Sequence, residues 1–145
     1  AAESLVREAK LPGSSATPLQ VEKWYQGNAS LDDGKVTVVV FWETWCPHCK
    51  REVPKLEATW GKYKGQGLNL VGLTKQTRNV EDTAVEAFIQ EHGLTYPVAK
   101  ESGAMSDAYA VSGVPAAAAV KDGKVIWRGH PGTLSDSTIE GWLGS

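Results

Sequence analysis

Apolar positions along the chain follow two periods, and the change between them marks the elements. Val36-Thr37-Val38-Val39-Val40-Phe41-Trp42 is apolar at nearly every position, as expected of a strand covered on both faces in a central sheet. The turn Asp32-Asp33-Gly34 precedes it. Past Cys46 the period changes, and Cys49, Val53, Leu56, Trp60 and Tyr63 fall on one helical stripe that Gly65 and Gly67 end. Leu68-Asn69-Leu70-Val71-Gly72-Leu73 is a second strand, with enough intervening helix for a parallel crossover. Asn79 is placed as an N-cap, with Asp82 three residues on, before a helical face of Val80, Ala84, Val85, Phe88 and Ile89 that Gly93 closes. Tyr96-Pro97-Val98-Ala99 is a short extended piece, and residues 105–111 a short helix. Strands over 116–120 and 124–128 are joined by Asp122-Gly123, a strong hairpin signal. A last helix starts near Ser135 and buries Ile139, Trp142 and Leu143. Upstream, residues 19–31 hold two short strand-like runs around Gly27-Asn28, which predict an N-terminal hairpin.

Strands alternating with helices, then a hairpin and a helix, give an α/β class with a mixed sheet flanked by helices on both faces. Residues 1–18 read as a lead-in or linker, irregular at Leu11-Pro12-Gly13-Ser14-Ser15, and 19–145 as a single domain. At 145 residues the chain is long enough to bury a core without disulfide staples. Its 41% hydrophobic and 22% charged residues exclude disorder. A net charge of −2 with no basic block removes a nucleic-acid footprint. No apolar run approaches the ~20 residues of a membrane span, and the first eleven residues mix Glu3, Arg7, Glu8 and Lys10 with small and apolar ones, unlike a signal peptide. A processed export signal or a deleted anchor would each leave such a start.

Two cysteines cannot make a disulfide framework, and these stand only three positions apart in Trp45-Cys46-Pro47-His48-Cys49. A strand-to-helix junction sets Cys46 at a helix N-terminus, where unpaired amides and the macrodipole favour its thiolate. Pro47 suits the first helical position, since its missing N–H costs nothing there. His48 is expected to donate to, or charge-stabilise, the neighbouring sulfur. Cys49, one turn further in, faces the core side of the helix as a resolving thiol. The arrangement predicts a reversible dithiol/disulfide couple. A zinc site would need a second CxxC, and His48, His92 and His130 lack ligand spacing. A structural disulfide closing so short a loop would constrain the unfolded chain little. Two inert core thiols fit poorly with a Pro-His insert.

The run Phe41-Trp42-Glu43-Thr44-Trp45-Cys46-Pro47-His48-Cys49-Lys50-Arg51-Glu52-Val53-Pro54 resembles the thioredoxin superfamily, and more narrowly its TlpA/ResA-type thiol–disulfide oxidoreductases. Val111-Ser112-Gly113-Val114-Pro115 and Lys121-Asp122-Gly123-Lys124 match later landmarks of that family, and 79–101 resembles its inserted helix and strand. The resemblance covers about residues 19–143. It implies a thioredoxin-like fold in which Cys46 is the exposed nucleophile, Cys49 the resolving thiol and Pro115 a cis-proline beside the pair. Val114 would offer backbone groups to an extended substrate strand. Pro54 would kink the helix, and Glu52, flanking the stripe of Cys49, would relay that thiol's proton. No cofactor is implied beyond the Cys46–Cys49 disulfide, and no metal. The implied partners are substrate proteins with thiols or a disulfide, and a membrane thiol reductant or oxidant for recycling. The expected setting is extracytoplasmic, in a bacterial periplasm or on the outer face of the membrane, with the chain acting as a monomer.

Two positions depart from the family. Glu43 stands where a small residue is usual, as an exposed bystander or as a second carboxylate disfavouring the thiolate. Ala116-Ala117-Ala118-Ala119 replaces bulkier strand formers, so either the tryptophans fill the space or a groove is left beside Pro115. The direction of electron flow has two readings. Pro47-His48 is the dipeptide of DsbA-type oxidants, and the remaining architecture resembles the reducing TlpA/ResA branch. Known couples span about −270 to −120 mV, a difference large enough to reverse the net reaction. A reductant is the leading expectation, with a disulfide donor as alternative. A copper- or metal-binding module on the same fold is a third, although copper-delivery relatives place three residues between their cysteines and only two separate Cys46 and Cys49.

Overall fold

All six residues of the strand Val36–Phe41 (β2) are buried, and the rest of the architecture is arranged about it. The computed structural model describes residues 2–144. Helix Ala2–Lys10 (α1) and strand Lys23–Gln26 (β1) precede β2, and helix Pro47–Tyr63 (α2) follows it. Strand Leu68–Thr74 (β3), helix Asp82–His92 (α3), strand Val98–Lys100 (β4) and helix Ala104–Ala108 (α4) come next. Strands Ala116–Lys121 (β5) and Lys124–Gly129 (β6) and helix Asp136–Leu143 (α5) complete the chain. The six strands form one mixed sheet in the order β1-β4-β3-β2-β5-β6. β3 lies parallel to β2 and to β4, whereas β2–β5, β5–β6 and β1–β4 are antiparallel.

Strand periodicity divides the core in two. Val38, Val40 and Trp42 face one side with α2, Val85 and Phe88 of α3, and Ile139 of α5. Val39 and Phe41 face the other side with Met105 and Tyr109. The alanine run is resolved by the same geometry. Ala117 and Ala119 lie in the first layer, which also takes Trp127 and Trp142, while Ala116 and Ala118 lie in the second beside Phe41 and Tyr109. Large rings on neighbouring elements occupy the volume that short side chains on β5 leave, so the interior is filled. Gly72 is small for a related reason, since a Cβ there would stand 3.0 Å from Nε1 of Trp42.

Several local expectations are corrected. The N-terminal hairpin is absent among the described residues. Only β1 forms in the 19–31 stretch, and its partner is β4, so long-range pairing at the sheet edge wins over a local turn. The helix expected from Asn79 begins at Asp82 with Glu81 as N-cap. Asn79 itself has φ 58°, a left-handed conformation that excludes the extended backbone of an N-cap. The helix placed over 105–111 ends at Ala108, and Ala110 turns out of it at φ 55° with the Val111 amide donating to the Ser106 carbonyl. Helix α2 runs through Pro54 from Pro47 to Tyr63. The described residues of 1–18, read as a lead-in or linker, are docked: 2–10 form α1, and in the stretch 11–15, irregular as expected, the Gly13 amide donates to the Val125 carbonyl at 2.7 Å and the Val125 amide to the Ser14 carbonyl at 2.9 Å. They cover the exposed backbone of β6, the last strand of the sheet.

The segment from β3 to α3 is anchored by Asp82. Its carboxylate accepts from Lys23 Nζ at 2.8 Å, from the Tyr25 hydroxyl at 2.6 Å and from Gln76 Nε2 at 3.0 Å. These partners, Lys23 foremost, hold the Asp82 carboxyl well below the usual carboxylate range. A depressed native pKa stabilises the fold above the unfolded value of about 3.9, and that contribution is lost as pH falls. Asp82→Asn is expected to lower the urea midpoint at pH 7 and to narrow the gap to the wild type at pH 3. Equal deficits at both pH values would remove the charge from this account.

Candidate active site

Cys46 terminates the turn after β2 and is the N-cap of α2, with φ −82° and ψ 119°. Its Sγ accepts the Cys49 amide at 3.3 Å, one of the amides that a helix start leaves without an intrahelical partner. Pro47 occupies the first helical turn. On the opposite side the Cys46 thiol reaches the Val114 carbonyl at 3.6 Å, and the Val114–Pro115 bond is cis. Residues 68 positions apart thus meet at the sulfur, as the resemblance to the thioredoxin superfamily implied. Both cysteines are free. Cys46, expected as the exposed thiol, is instead buried at 4% exposure, because the Cys49 amide and the Val114 carbonyl close on its sulfur, and Cys49 is 0% exposed. Burial followed by the hydrogen bond to Cys46 pushes the Cys49 thiol far up.

Glu43 is neither exposed nor a bystander. It is 2% exposed, and its carboxylate accepts Thr74 Oγ1, the Lys75 amide and the Thr77 amide, each at 3.1 Å. Three donors offset much of what burying a carboxylate costs. Its charge also acts on the Cys49 thiol, raising it. The Glu43 carbonyl accepts the Cys46 amide at 3.2 Å, so this residue ties the nucleophile's turn to the end of β3. Two features in the sequence bear on this: a carboxylate at the end of a fully apolar strand, and the Thr74-Lys75-Gln76-Thr77 stretch at the end of the neighbouring one.

Glu52 is held by cations, and His48 sits differently from the expectation. The Glu52 side chain is 13% exposed and lies 3.6 Å from Arg51 Nε and 3.7 Å from Lys55 Nζ. It faces the turn at Gly132, where a Cβ would meet its carboxyl carbon at 3.3 Å. No hydrogen bond joins it to either sulfur among the described residues. His48 is exposed, and Arg51 Nη2 lies 2.6 Å from its Nδ1. A guanidinium only donates, so that nitrogen accepts and the ring proton is on Nε2. The expected donation from His48 to the neighbouring sulfur is not made, because Arg51, one turn along α2, takes the ring.

Trp45 is half-buried, donates from Nε1 to Thr77 Oγ1 at 3.0 Å and lies under the Arg78 guanidinium. A cavity of about 180 Å3 opens between Trp45, Lys75 and Thr77 on one side and Gly113 and Val114 on the other. A second, of about 290 Å3, borders Pro115, Ala116, Arg128 and His130, so a groove also exists beside Pro115. The loop residues Lys75, Thr77 and Arg78 escaped the sequence reading, because nothing local distinguishes them from an ordinary polar connection.

The geometry sets one thiol at a helix start against a second one inside the helix, both buried. At pH 7, reduced protein treated with iodoacetamide should be alkylated at Cys46 at least about tenfold faster than at Cys49, since thiolate is the reacting form. Peptide mapping by mass spectrometry reads this directly, and equal rates would overturn the assignment.

Known proteins place this geometry in a lineage. Residues 12–128 match the AhpC/TSA family. The thiol-disulfide oxidoreductase ResA of Halalkalibacterium halodurans is 29% identical over 112 residues, 77% of this chain and 62% of that protein. ResA of Bacillus subtilis is 29% identical over 141 residues, covering 94% of this chain and 76% of its own length. Several of the curated relatives are thus spanned for only 62% of their length. Among solved structures, the thioredoxin domain of a Bacteroides vulgatus thiol-disulfide oxidoreductase superposes with a TM-score of 0.75 at 24% identity, covering 91% of this chain and 97% of that one. StoA from Bacillus subtilis gives 0.69 at 23% identity, over 90% and 98%. The fold is thioredoxin-like.

Proposed function

Since the chain belongs to the AhpC/TSA family, we propose that it is a thiol–disulfide oxidoreductase that reduces disulfides of substrate proteins through Cys46 and Cys49. The observation that carries this reading is the pairing of an N-cap thiol with a fully buried one under the Val114 carbonyl. Cys46 thiolate attacks one sulfur of the substrate disulfide, that S–S bond breaks, and one substrate thiolate leaves. Cys49 then attacks the Cys46 sulfur of the mixed disulfide. A Cys46–Cys49 bond forms, the second substrate thiol is released, and two electrons and two protons have passed to the substrate. The couple is its own redox group and no cofactor takes part.

Loss of the Cys49 proton needs help, because burial holds that thiol protonated. Of the two carboxylates nearby, Glu43 has its oxygens committed to three donors. Glu52, held only by ion pairs of 3.6 and 3.7 Å one turn along α2, is the group free to take the proton. Val114 and Pro115 form the edge on which an extended substrate segment lies, its backbone pairing as an added strand. Trp45 and Pro47 frame the nucleophile.

Two observations favour a reductant over a disulfide donor. The His48 ring is engaged by Arg51 instead of the sulfur, which removes the main source of thiolate stabilisation in the Pro-His dipeptide. The Val114 carbonyl accepts from the thiol form of Cys46. A more stable thiolate would make the reduced state more stable and the protein more oxidising. Recycling then requires a thiol reductant, for which a membrane partner is the natural source. An extracytoplasmic setting accords with the ResA relatives. No helix among the described residues is long and apolar enough to cross a membrane.

Cys49→Ser is expected to trap a mixed disulfide between Cys46 and a disulfide-bonded substrate protein, seen as a reducible adduct on a gel, and absence of any adduct would overturn the exchange reading. The direction is tested by equilibration with glutathione at pH 7, followed by the fluorescence of Trp42 and Trp45. A potential nearer about −270 mV than −120 mV is expected, and one at the upper end would recast the protein as a disulfide donor.

A further inference from the structure

The loop joining β3 to α3 takes no part in the exchange steps, yet it is kept in a disfavoured shape beside Cys46. Gln76, Arg78 and Asn79 have φ of 57°, 59° and 58°, and none is glycine. Left-handed backbone at residues with a Cβ persists only where the surroundings over-determine it, and it clusters at functional sites. Here the surroundings are specific. Glu43 holds the Lys75 and Thr77 amides at 3.1 Å each, the Trp45 indole holds Thr77 Oγ1 at 3.0 Å, and Gln76 is tied to Asp82 at 3.0 Å.

What this shape delivers is a fixed cation. The Arg78 guanidinium carbon lies 3.5 Å from the centre of the Trp45 ring, the residue next to the nucleophile. Stacked on indole, the planar group is pre-organised and still presents its N–H edges to solvent. Arg78 is exposed, as is Lys75, which borders the cavity leading to Val114. Neither has a carboxylate partner among the described residues. Lys50 adds positive charge along the exposed start of α2. The carboxylate of Glu43 is committed to its three donors, and that of Glu52 lies between Arg51 and Lys55. A chain of net charge −2 therefore surrounds its reactive thiol with a cationic rim.

We propose that Arg78, with Lys75, is a substrate-selecting residue, and that the preferred substrate is a polypeptide carrying an aspartate or glutamate within a few residues of its disulfide-bonded cysteine. This rests on the exchange reaction proposed above. The substrate carboxylate pairs with the stacked guanidinium while its cysteine sulfur reaches Cys46 and its backbone lies along Val114. Complementary charge at such a rim acts mainly on the rate of encounter and is screened by salt.

The test uses the reduced full chain and two synthetic peptides of equal length. Each has one cysteine activated as a thiopyridyl disulfide, with aspartate in one peptide and lysine in the other two positions from the cysteine. Release of pyridinethione gives second-order rates, and a neutral thiopyridyl disulfide of mercaptoethanol serves as reference. At low salt the aspartate peptide should react about three- to tenfold faster than the lysine peptide. That ratio should collapse in Arg78→Gln combined with Lys75→Gln and at high salt, and the rate with the neutral reference should stay unchanged. Arg78→Lys should retain part of the preference, as charge without the planar stack. Equal rates for the two peptides in the wild type, or a ratio untouched in the double variant, would overturn the proposal. Failure of the neutral reference to react with the wild type would overturn the exchange reaction itself.

Discussion

Burial of β2 on both faces is the constraint on which the rest of the molecule depends. A strand with no solvent face must be paired on both edges and covered on both sides, because each unpaired backbone group there would cost a hydrogen bond. Parallel β3 meets one edge and antiparallel β5 the other. A parallel neighbour requires a crossover, and α2 is that crossover. The first residues past the end of β2 therefore enter a helix start, where amides without intrahelical partners are available, and Cys46 is the residue that meets them.

The antiparallel edge supplies the other half of the site. β5 begins at Ala116, opposite Phe41, so the residues immediately before it, Val114 and Pro115, come level with the end of β2. The contact from Cys46 Sγ to the Val114 carbonyl follows from this register. Short side chains on β5 let Trp127, Trp142, Phe41 and Tyr109 close the two core layers around it. The alanine run is thus a packing solution in which volume is moved from the central strand to its neighbours.

Electrostatics at the site is organised by one buried acid. Glu43 would be costly at 2% exposure without donors, and the donors it recruits are the backbone amides of the β3–α3 loop. A carboxylate in that place fixes the loop, the loop fixes Thr77 and Arg78, and these fix the Trp45 indole from its edge and its face. Burial, far more than that charge, keeps the neighbouring Cys49 thiol protonated. Both sulfurs are buried, and they differ in place, since one caps a helix and the other lies inside it.

The sequence by itself determined the α/β class, the central strand, the helix that begins at the cysteine pair and the β5–β6 hairpin. Each of these is written in local periodicity, turn residues or motif spacing, whose physics needs only neighbours in the chain. Resemblance to a known family added Val114 and Pro115 to the site. Tertiary structure alone decided the environment of the carboxylates and the imidazole. Whether Glu43 is buried depends on a hydroxyl and two amides 31 to 34 residues away, and the His48 ring is engaged by Arg51. Tertiary structure likewise replaced the expected N-terminal hairpin with β1 paired to β4, and turned Asn79 from a cap into a left-handed corner. For Glu43 and for β1 a long-range partner outweighed a local preference, because propensities are worth fractions of a kcal/mol while unpaired buried groups cost about 1–3 kcal/mol.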